Sequence, residues 1–269
     1  MKNWPNTDKS RLPGKSVKNW LSLVLPGTLL IVLLIIWEIA VHITGIEKWL
    51  LPSPTLILQS LWETRELIWH HSLQTLYEAL WGLGIAVLIG VLLAVLIDLS
   101  PRIRQAVYPL LVVSQTIPII AVAPLLMIWF GYGMTTKILV VALVCFFPIA
   151  VNLADGFRLV DQEMIRLLAS MGASKRQMFR MVKLPAALPF FFSGMRIAGT
   201  YSVMGAVIGE WLGASRGLGI FMTRSSQSFL TDRVFASILV IIFLSLIIFG
   251  FIEGMARWLM PWHRRSDFK

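Results

Sequence analysis

Residues 158–186 read RLVDQEMIRLLASMGASKRQMFRMVKLPA, a polar stretch set between long apolar runs on either side. It is too charged to sit in hydrocarbon and too regular for a plain linker. Met164, Leu167, Leu168 and Met171 recur at the i, i+3, i+4, i+7 spacing of one helical face, and Met178, Phe179 and Val182 repeat the pattern. Gly172-Ala173-Ser174 between them marks a break, and Pro185 is expected to end the segment before the next apolar run. Arg166, Lys175, Arg176, Arg180 and Lys183 fall outside the apolar face. Two short amphipathic helices joined at a glycine make a handle projecting from a membrane; the same pattern equally suits a helix lying on anionic headgroups.

Outward from this segment the chain is overwhelmingly apolar. Of 269 residues 57% are hydrophobic and 14% charged, far from the balance of a domain with a watery surface. Six windows reach the length that crosses hydrocarbon: about 21–43, 75–98, 107–130, 137–157, 187–211 and 234–259. Runs such as Leu21 to Ala40 do not alternate in polarity, which excludes a transmembrane barrel. The stretch Leu21 to Ile43 is too long for a signal-peptide core and is expected to remain as the first span. The fold class expected is an all-α polytopic membrane protein. It has six transmembrane helices and a cytoplasmic coupling-helix loop, 158–186, between spans four and five. Its parts are a basic tail over 1–20, a transmembrane domain over 21–260 and a tail over 261–269.

The net charge of +10 suits basic loops better than nucleic-acid binding. The tail 1–20, the loop 99–106, the segment 158–186 and the C-terminus together hold most of the Lys and Arg. Lys48, Arg65, Lys137, Arg216, Arg224 and Arg233 fall on the other side, and Arg196 lies within a span. Basic segments stay in the cytoplasm, so both termini are expected there. Trp49, Trp62, Trp69, Trp211, Trp258 and Trp262 lie near span boundaries, as an aromatic belt would.

Pro118, Pro124 and Pro148 fall inside expected spans and can kink them. Glycines and alanines of the second and fifth spans permit close helix approach. The intramembrane ionisable residues are Glu38, Arg196 and Glu210, candidates for a substrate pathway because charge in hydrocarbon is costly. Arg196 and Glu210 are fourteen residues apart, about 21 Å along one helix, and cannot pair there. Arg196 could face inward towards an anionic solute or snorkel to the headgroups. Loop 212–233, with Arg216, Arg224 and Arg233, is either a receiving surface for a soluble protein or an ordinary solvated loop. Cys145 is single, so no internal disulfide forms, and the four histidines are not arranged as a metal site. Gly14-Lys15-Ser16 lacks the earlier glycine of a phosphate loop, since Lys9 stands there, and no catalytic residue is identified.

Gly172, Val182, Leu184 and Pro185 stand in register with a signature of permeases of type I ABC importers: Glu-Ala-Ala, three residues, Gly, nine residues, Ile, one residue, Leu-Pro. Arg166, Leu167 and Leu168 replace its Glu-Ala-Ala. Leu51-Pro52-Ser53-Pro54, Thr116-Ile117-Pro118, Pro124 through Trp129-Phe130-Gly131, Gly209-Glu210, Gly213-Ala214-Ser215 and Gly217-Leu218-Gly219 resemble the subfamily serving nitrate, taurine, aliphatic sulfonates and thiamine-precursor pyrimidines. The likeness extends over about residues 30–260.

This resemblance implies a translocation subunit that is not itself an enzyme and binds no cofactor. Two cytoplasmic ATP-binding subunits would use ATP and Mg, docking on Met171, Gly172, Ala173, Ser174, Val182, Leu184 and Pro185. A second permease subunit, as a homodimer, and an extracellular or periplasmic binding protein complete the implied assembly. The competing reading is a secondary transporter or channel independent of ATP. That would call for several mid-membrane carboxylates in related positions of a repeat, and no repeat is evident.

Overall fold

A computed structural model describes residues 15–262, with side chains described from Leu25 onward. Expectations placed on 1–14 and on His263 to Lys269 lie outside the described residues. The described chain is helical throughout: α1 Lys15–Thr44, α2 Pro54–Glu63, α3 Arg65–Leu99, α4 Pro101–Ser114, α5 Ile119–Phe130, α6 Met134–Arg158, α7 Gln162–Ser170, α8 Lys175–Met178, a π-helical turn Phe179–Lys183, α9 Leu184–Trp211, α10 Leu218–Gln227 and α11 Thr231–Leu259.

Among the described residues, Leu25–Thr44, α3, α6 and α11 are long and apolar enough to cross a membrane. The pair α4 and α5 raises the number to five if it makes one span, although its halves meet at a bend of 98°. The stretch expected as one kinked span at 107–130 is therefore two helices broken at Gln115–Pro118. Pro118 sits at the head of α5, where its fixed φ and missing N–H suit a helix start better than an interior. Residues 187–211, expected as a span, fall in the helix α9, which is not among those long and apolar enough to cross a membrane. Its glycines, Ser193, Thr200, Ser202 and Arg196 lower its hydropathy, in keeping with a central position packed by α3, α6, α10 and α11.

Small residues set the packing. A Cβ on Gly90 of α3 would lie 2.9 Å from Ile149 of α6, and one on Gly82 would collide with Val141. Positions 82 and 90 thus meet 141 and 149 in ascending order, so α3 and α6 run parallel. On α9 the order reverses: a Cβ on Gly194 would lie 2.5 Å from the Pro148 carbonyl, one on Gly205 3.3 Å from Val141 and one on Gly209 3.3 Å from Lys137. The core built on these contacts includes Ala79, Ala86, Val141, Cys145, Phe192, Ala198, Val203 and Ile252. α1 stands apart, with its apolar side chains from Leu25 to Ile43 largely exposed; Trp37 meets Phe235 of α11 at 5.7 Å between ring centres. Such a helix, apolar all round, is suited to lipid rather than to water.

Three local differences from the sequence expectations stand out. Helix α3 begins ten residues before the expected span, at Arg65. The expected loop 212–233 contains α10, seated through buried Leu218, Gly219, Phe221 and Ser225. Pro185 does not end the amphipathic segment: helix continues from Lys175 through the π turn into α9, with Pro185 in its first turn. The Leu184 N–H reaches back five residues to the Phe179 carbonyl, and this wider register accommodates a proline that has no N–H to give.

Candidate functional site

The segment 158–186 is built as a capped handle. Asp161 starts α7, its side chain accepting the Glu163 N–H at 2.8 Å. The helix closes with paired bonds from Gly172 N–H to the Ala169 carbonyl and from Ala173 N–H to the Leu168 carbonyl, both 3.0 Å. This closure requires the left-handed backbone that Gly172 adopts, φ 82°. Ser174 then opens α8 in a reciprocal cap: its N–H donates to Gln177 Oε1 at 2.8 Å and its Oγ accepts the Gln177 N–H at 3.3 Å.

Three residues of the α7 apolar face are largely uncovered, while Leu168, Met178, Phe179 and Val182 are half-buried. Met171 is 74% exposed, Leu167 60% and Met164 49%. Gly172 and Ser174 are exposed and Ala173 is half-buried, so 171–174 form one accessible turn. Val182, Leu184 and Pro185 are not part of that turn; they lie where the handle joins α9. Lys183 there donates to both Asp98 oxygens at the end of α3, 3.0 and 2.8 Å, and Phe179 packs on Phe157 of α6. The handle is thus anchored to three long helices and free at its tip.

At the opposite end of the bundle, Glu210 is fully buried. It accepts from Thr75 Oγ1 at 2.7 Å and from the Gly219 N–H at 2.5 Å. The Leu218 N–H donates to Thr75 Oγ1 at 2.8 Å, and the Gly217 N–H to His71 Nδ1 at 2.9 Å. All three groups opening α10 are therefore satisfied by side chains of α3 and α9, and the carboxylate sits at the positive end of the helix. A Cβ on Gly217 would collide with the Glu210 carboxyl, which explains why glycine stands there. Beside it Glu78, also fully buried, accepts from Gln74 at 2.7 Å and from Lys137 Nζ at 3.1 Å. Reading by sequence missed Glu78, Lys137, Thr75 and His71. Glu78 lay within an expected span, and its position there was the available signal; Lys137 was counted with the loops but is buried on α6.

The structure does not bring Arg196, Glu210 and Glu38 together. Arg196 Nε pairs with Glu253 of α11 at 2.8 Å, and Arg257 Nε takes the other Glu253 oxygen at 2.8 Å. Arg196 also borders an open groove of about 550 Å³ with Pro185, Pro189, Ser193 and Trp262. Glu38 accepts from Thr55 N–H at 3.0 Å and Thr55 Oγ1 at 2.7 Å, and lies 3.0 Å from His42 Nε2. It joins α1 to α2, whose start is set by Ser53 as N-cap and Pro54 in the first turn.

Residues 86–264 match the family model described as "Binding-protein-dependent transport system inner membrane component". The chain is 39% identical to the formylaminopyrimidine transport permease protein ThiX of Halalkalibacterium halodurans, covering 90% of this chain and 96% of that protein. It is 35% identical to the riboflavin transport system permease protein RibX of Chloroflexus aurantiacus, covering 90% and 91%. It is also 35% identical to the taurine transport system permease protein TauC of Escherichia coli, covering 88% of each. Among solved structures, a chain of the inward-facing MetNI methionine ABC transporter superposes with a TM-score of 0.59 at 21% identity, covering 73% of this chain and 96% of that one. That likeness concerns the fold.

Proposed function

The chain belongs to the family of binding-protein-dependent transport inner membrane components, and from that premise we propose how this ABC importer permease performs its part. As an inner-membrane, multi-pass subunit it is not the ATPase, and membership of the family implies ATPase and binding-protein partners. We assign the handle 158–186, one on each of two permease copies, to the docking of two cytoplasmic ATP-binding subunits, one per handle, which bind ATP and Mg; the permease itself holds no cofactor. The observation that carries this reading is the capped turn at Gly172, which presents exposed Met164, Leu167 and Met171 at the end of a rigid segment tied to α3, α6 and α9. An apolar helix face of this kind fits a groove on a partner protein.

In this reading the handle end is cytoplasmic, as its basic residues require, and both termini lie on that side. The four long helices, the broken pair α4 and α5, and α9 make six crossings. Two copies enclose the pathway, and α10 with its flanking turns receives the binding protein. Arg196, Glu210 and Glu38, expected along the pathway, each have intrachain partners; we read them as ties between helices. The substrate class is a small solute like those named for the relatives, a thiamine-precursor pyrimidine, a sulfonate or a nitrate-like anion.

The substitution Gly172→Asp tests the docking role. No side chain obstructs a Cβ there, but the left-handed backbone costs most residues about 1–2 kcal/mol, Asp less, and the new carboxylate puts charge into the apolar turn that docks. Expected is loss of ATPase co-purification, or ATP hydrolysis continuing without uptake. Full coupled uptake by Gly172→Asp would remove the handle as the coupling element.

A further inference from the structure

Ala186, Pro189, Ser193 and Arg196 follow one another on α9 at spacings of three, four and three residues, so they form one stripe of the helix. The first three side chains are short, and the space they leave beside Phe190 and Trp262 is the open groove of about 550 Å³. α9 and α11 run antiparallel there: a Cβ on Gly199 would collide with Ile252, Arg196 pairs with Glu253, and Trp262, just past the end of α11, borders the first turns of α9. Helix length sets the depth of the groove. About 20 residues, the span of the hydrocarbon, counted from the far ends of the two helices at Trp211 and Thr231, reach Phe191 and Phe251. The Arg196 side chain leans towards the start of its helix, so the Arg196–Glu253 pair lies at the handle-side edge of the apolar layer. Trp262 beside it suits the headgroup level.

The polar groups of this groove are donors without partners. Arg196 gives its Nε to Glu253 at 2.8 Å, and neither of its Nη atoms bonds any described residue. The Ser193 hydroxyl bonds no carbonyl of the preceding turn, whereas Thr200 and Ser202 further along α9 both do. Nor does the Trp262 indole N–H, exposed at the groove's edge, meet an acceptor among the described residues. Glu253 is already bonded through both oxygens, to Arg196 and to Arg257, and the three charges sum to one positive. Arg264 and Arg265 follow Trp262 in the sequence and add cations, not anions. Beyond Arg196 the same side of α9 continues as exposed Ile197, Tyr201 and Met204.

We propose that this groove binds an anionic phospholipid, its phosphate held by the Arg196 Nη groups, the Ser193 hydroxyl and the Trp262 indole, and an acyl chain laid inward along Ile197 and Tyr201. A guanidinium fork matches phosphate oxygens, and basic pockets between membrane helices take such headgroups. Charge at the edge of the hydrocarbon with an exposed apolar strip running inward from it fits a lipid, which has both parts, better than a soluble anion, which has one. The bound lipid braces α9 against α11 just beyond the handle. This inference goes beyond the docking role of the handle and does not rest on it.

The test is the thermal midpoint of the transporter, assembled with its ATPase and binding protein, in nanodiscs of phosphatidylcholine with and without phosphatidylglycerol. Ser193→Leu fills the groove and leaves the Arg196–Glu253 pair in place, and Arg196→Gln removes the fork. Arg102→Gln, an exposed cation near the Asp98–Lys183 pair at the same end of the bundle, is the control. Phosphatidylglycerol is expected to raise the midpoint of the parent and of Arg102→Gln by about 3 °C or more, and that of the two groove variants by less than half as much. An equal rise in all four chains overturns the site, because the lipid then acts through surface charge. Groove variants that lose the same stability with and without phosphatidylglycerol also overturn it: Arg196 is then a tie between helices, and whatever fills the groove is not this lipid. A rise produced in phosphatidylcholine by taurine or inorganic phosphate, and abolished by Ser193→Leu, gives the donors to a soluble anion instead. None of these readouts is uptake, so the transport reading stands or falls separately.

Discussion

At the scale of single residues, the handle and the buried carboxylates show opposite uses of polarity. Gly172 is fixed by backbone conformation alone, since open space surrounds it. Glu78 and Lys137 are fixed by each other, and Glu210 by Thr75 and the Gly219 N–H: each is removed from water and depends on named partners. A buried charge that loses its partner costs about 3–5 kcal/mol, whereas an apolar replacement of the whole pair is often near neutral. Lys137→Met is therefore expected to lower the thermal stability of the detergent-solubilised transporter sharply, and Glu78→Leu added to it to restore most of the loss. A double variant no more stable than Lys137→Met alone would show that the pair does not act as a unit. The Glu78–Lys137 pair was not legible in the sequence, because 59 residues separate them and only the parallel packing of α3 and α6 brings them together. The Gly217-Leu218-Gly219 motif was legible as a pattern, yet its reason, the close approach of Glu210 to the start of α10, appears only in three dimensions.

At the scale of elements, apolar run length located most spans, and spacing located the two amphipathic pieces with their break at Gly172. Sequence rules failed where a proline allowed more than one outcome. Pro118 produces a 98° break, while Pro185 is absorbed by a π turn and leaves the helix continuous. The choice depends on neighbours: Lys183 bonded to Asp98 and Phe179 stacked on Phe157 hold the π turn in line, whereas residues 112–118 are exposed. Between α9 and α11 the Arg196–Glu253 pair is partly exposed, with side chains 32% and 26% accessible, so its contribution is modest. Arg196→Leu is expected to destabilise by about 1 kcal/mol, with a coupling to Glu253→Leu of at least about 0.5 kcal/mol in a double-mutant cycle, and to leave the choice of solute unchanged. An altered solute profile at normal stability would instead place Arg196 on the pathway.

At the scale of the whole molecule, the two ends of the bundle divide the work. One end carries a capped, basic handle with Met164, Leu167 and Met171 uncovered; the other locks α10 onto α3 and α9 through Glu210, Thr75 and His71. Parallel α3 and α6 with antiparallel α9 form the frame between them. Motion imposed on the handle would reach α3 through Asp98, α6 through Phe157 and α9 through the continuous helix. Such a frame transmits work done elsewhere and supplies none itself. Reconstituted uptake tests this division most directly. Proteoliposomes containing the chain with its ATPase and binding protein are expected to accumulate solute only with ATP and Mg inside the handle's compartment, and the chain alone is expected to accumulate none. Uptake by the purified chain alone, without ATP, would contradict the account.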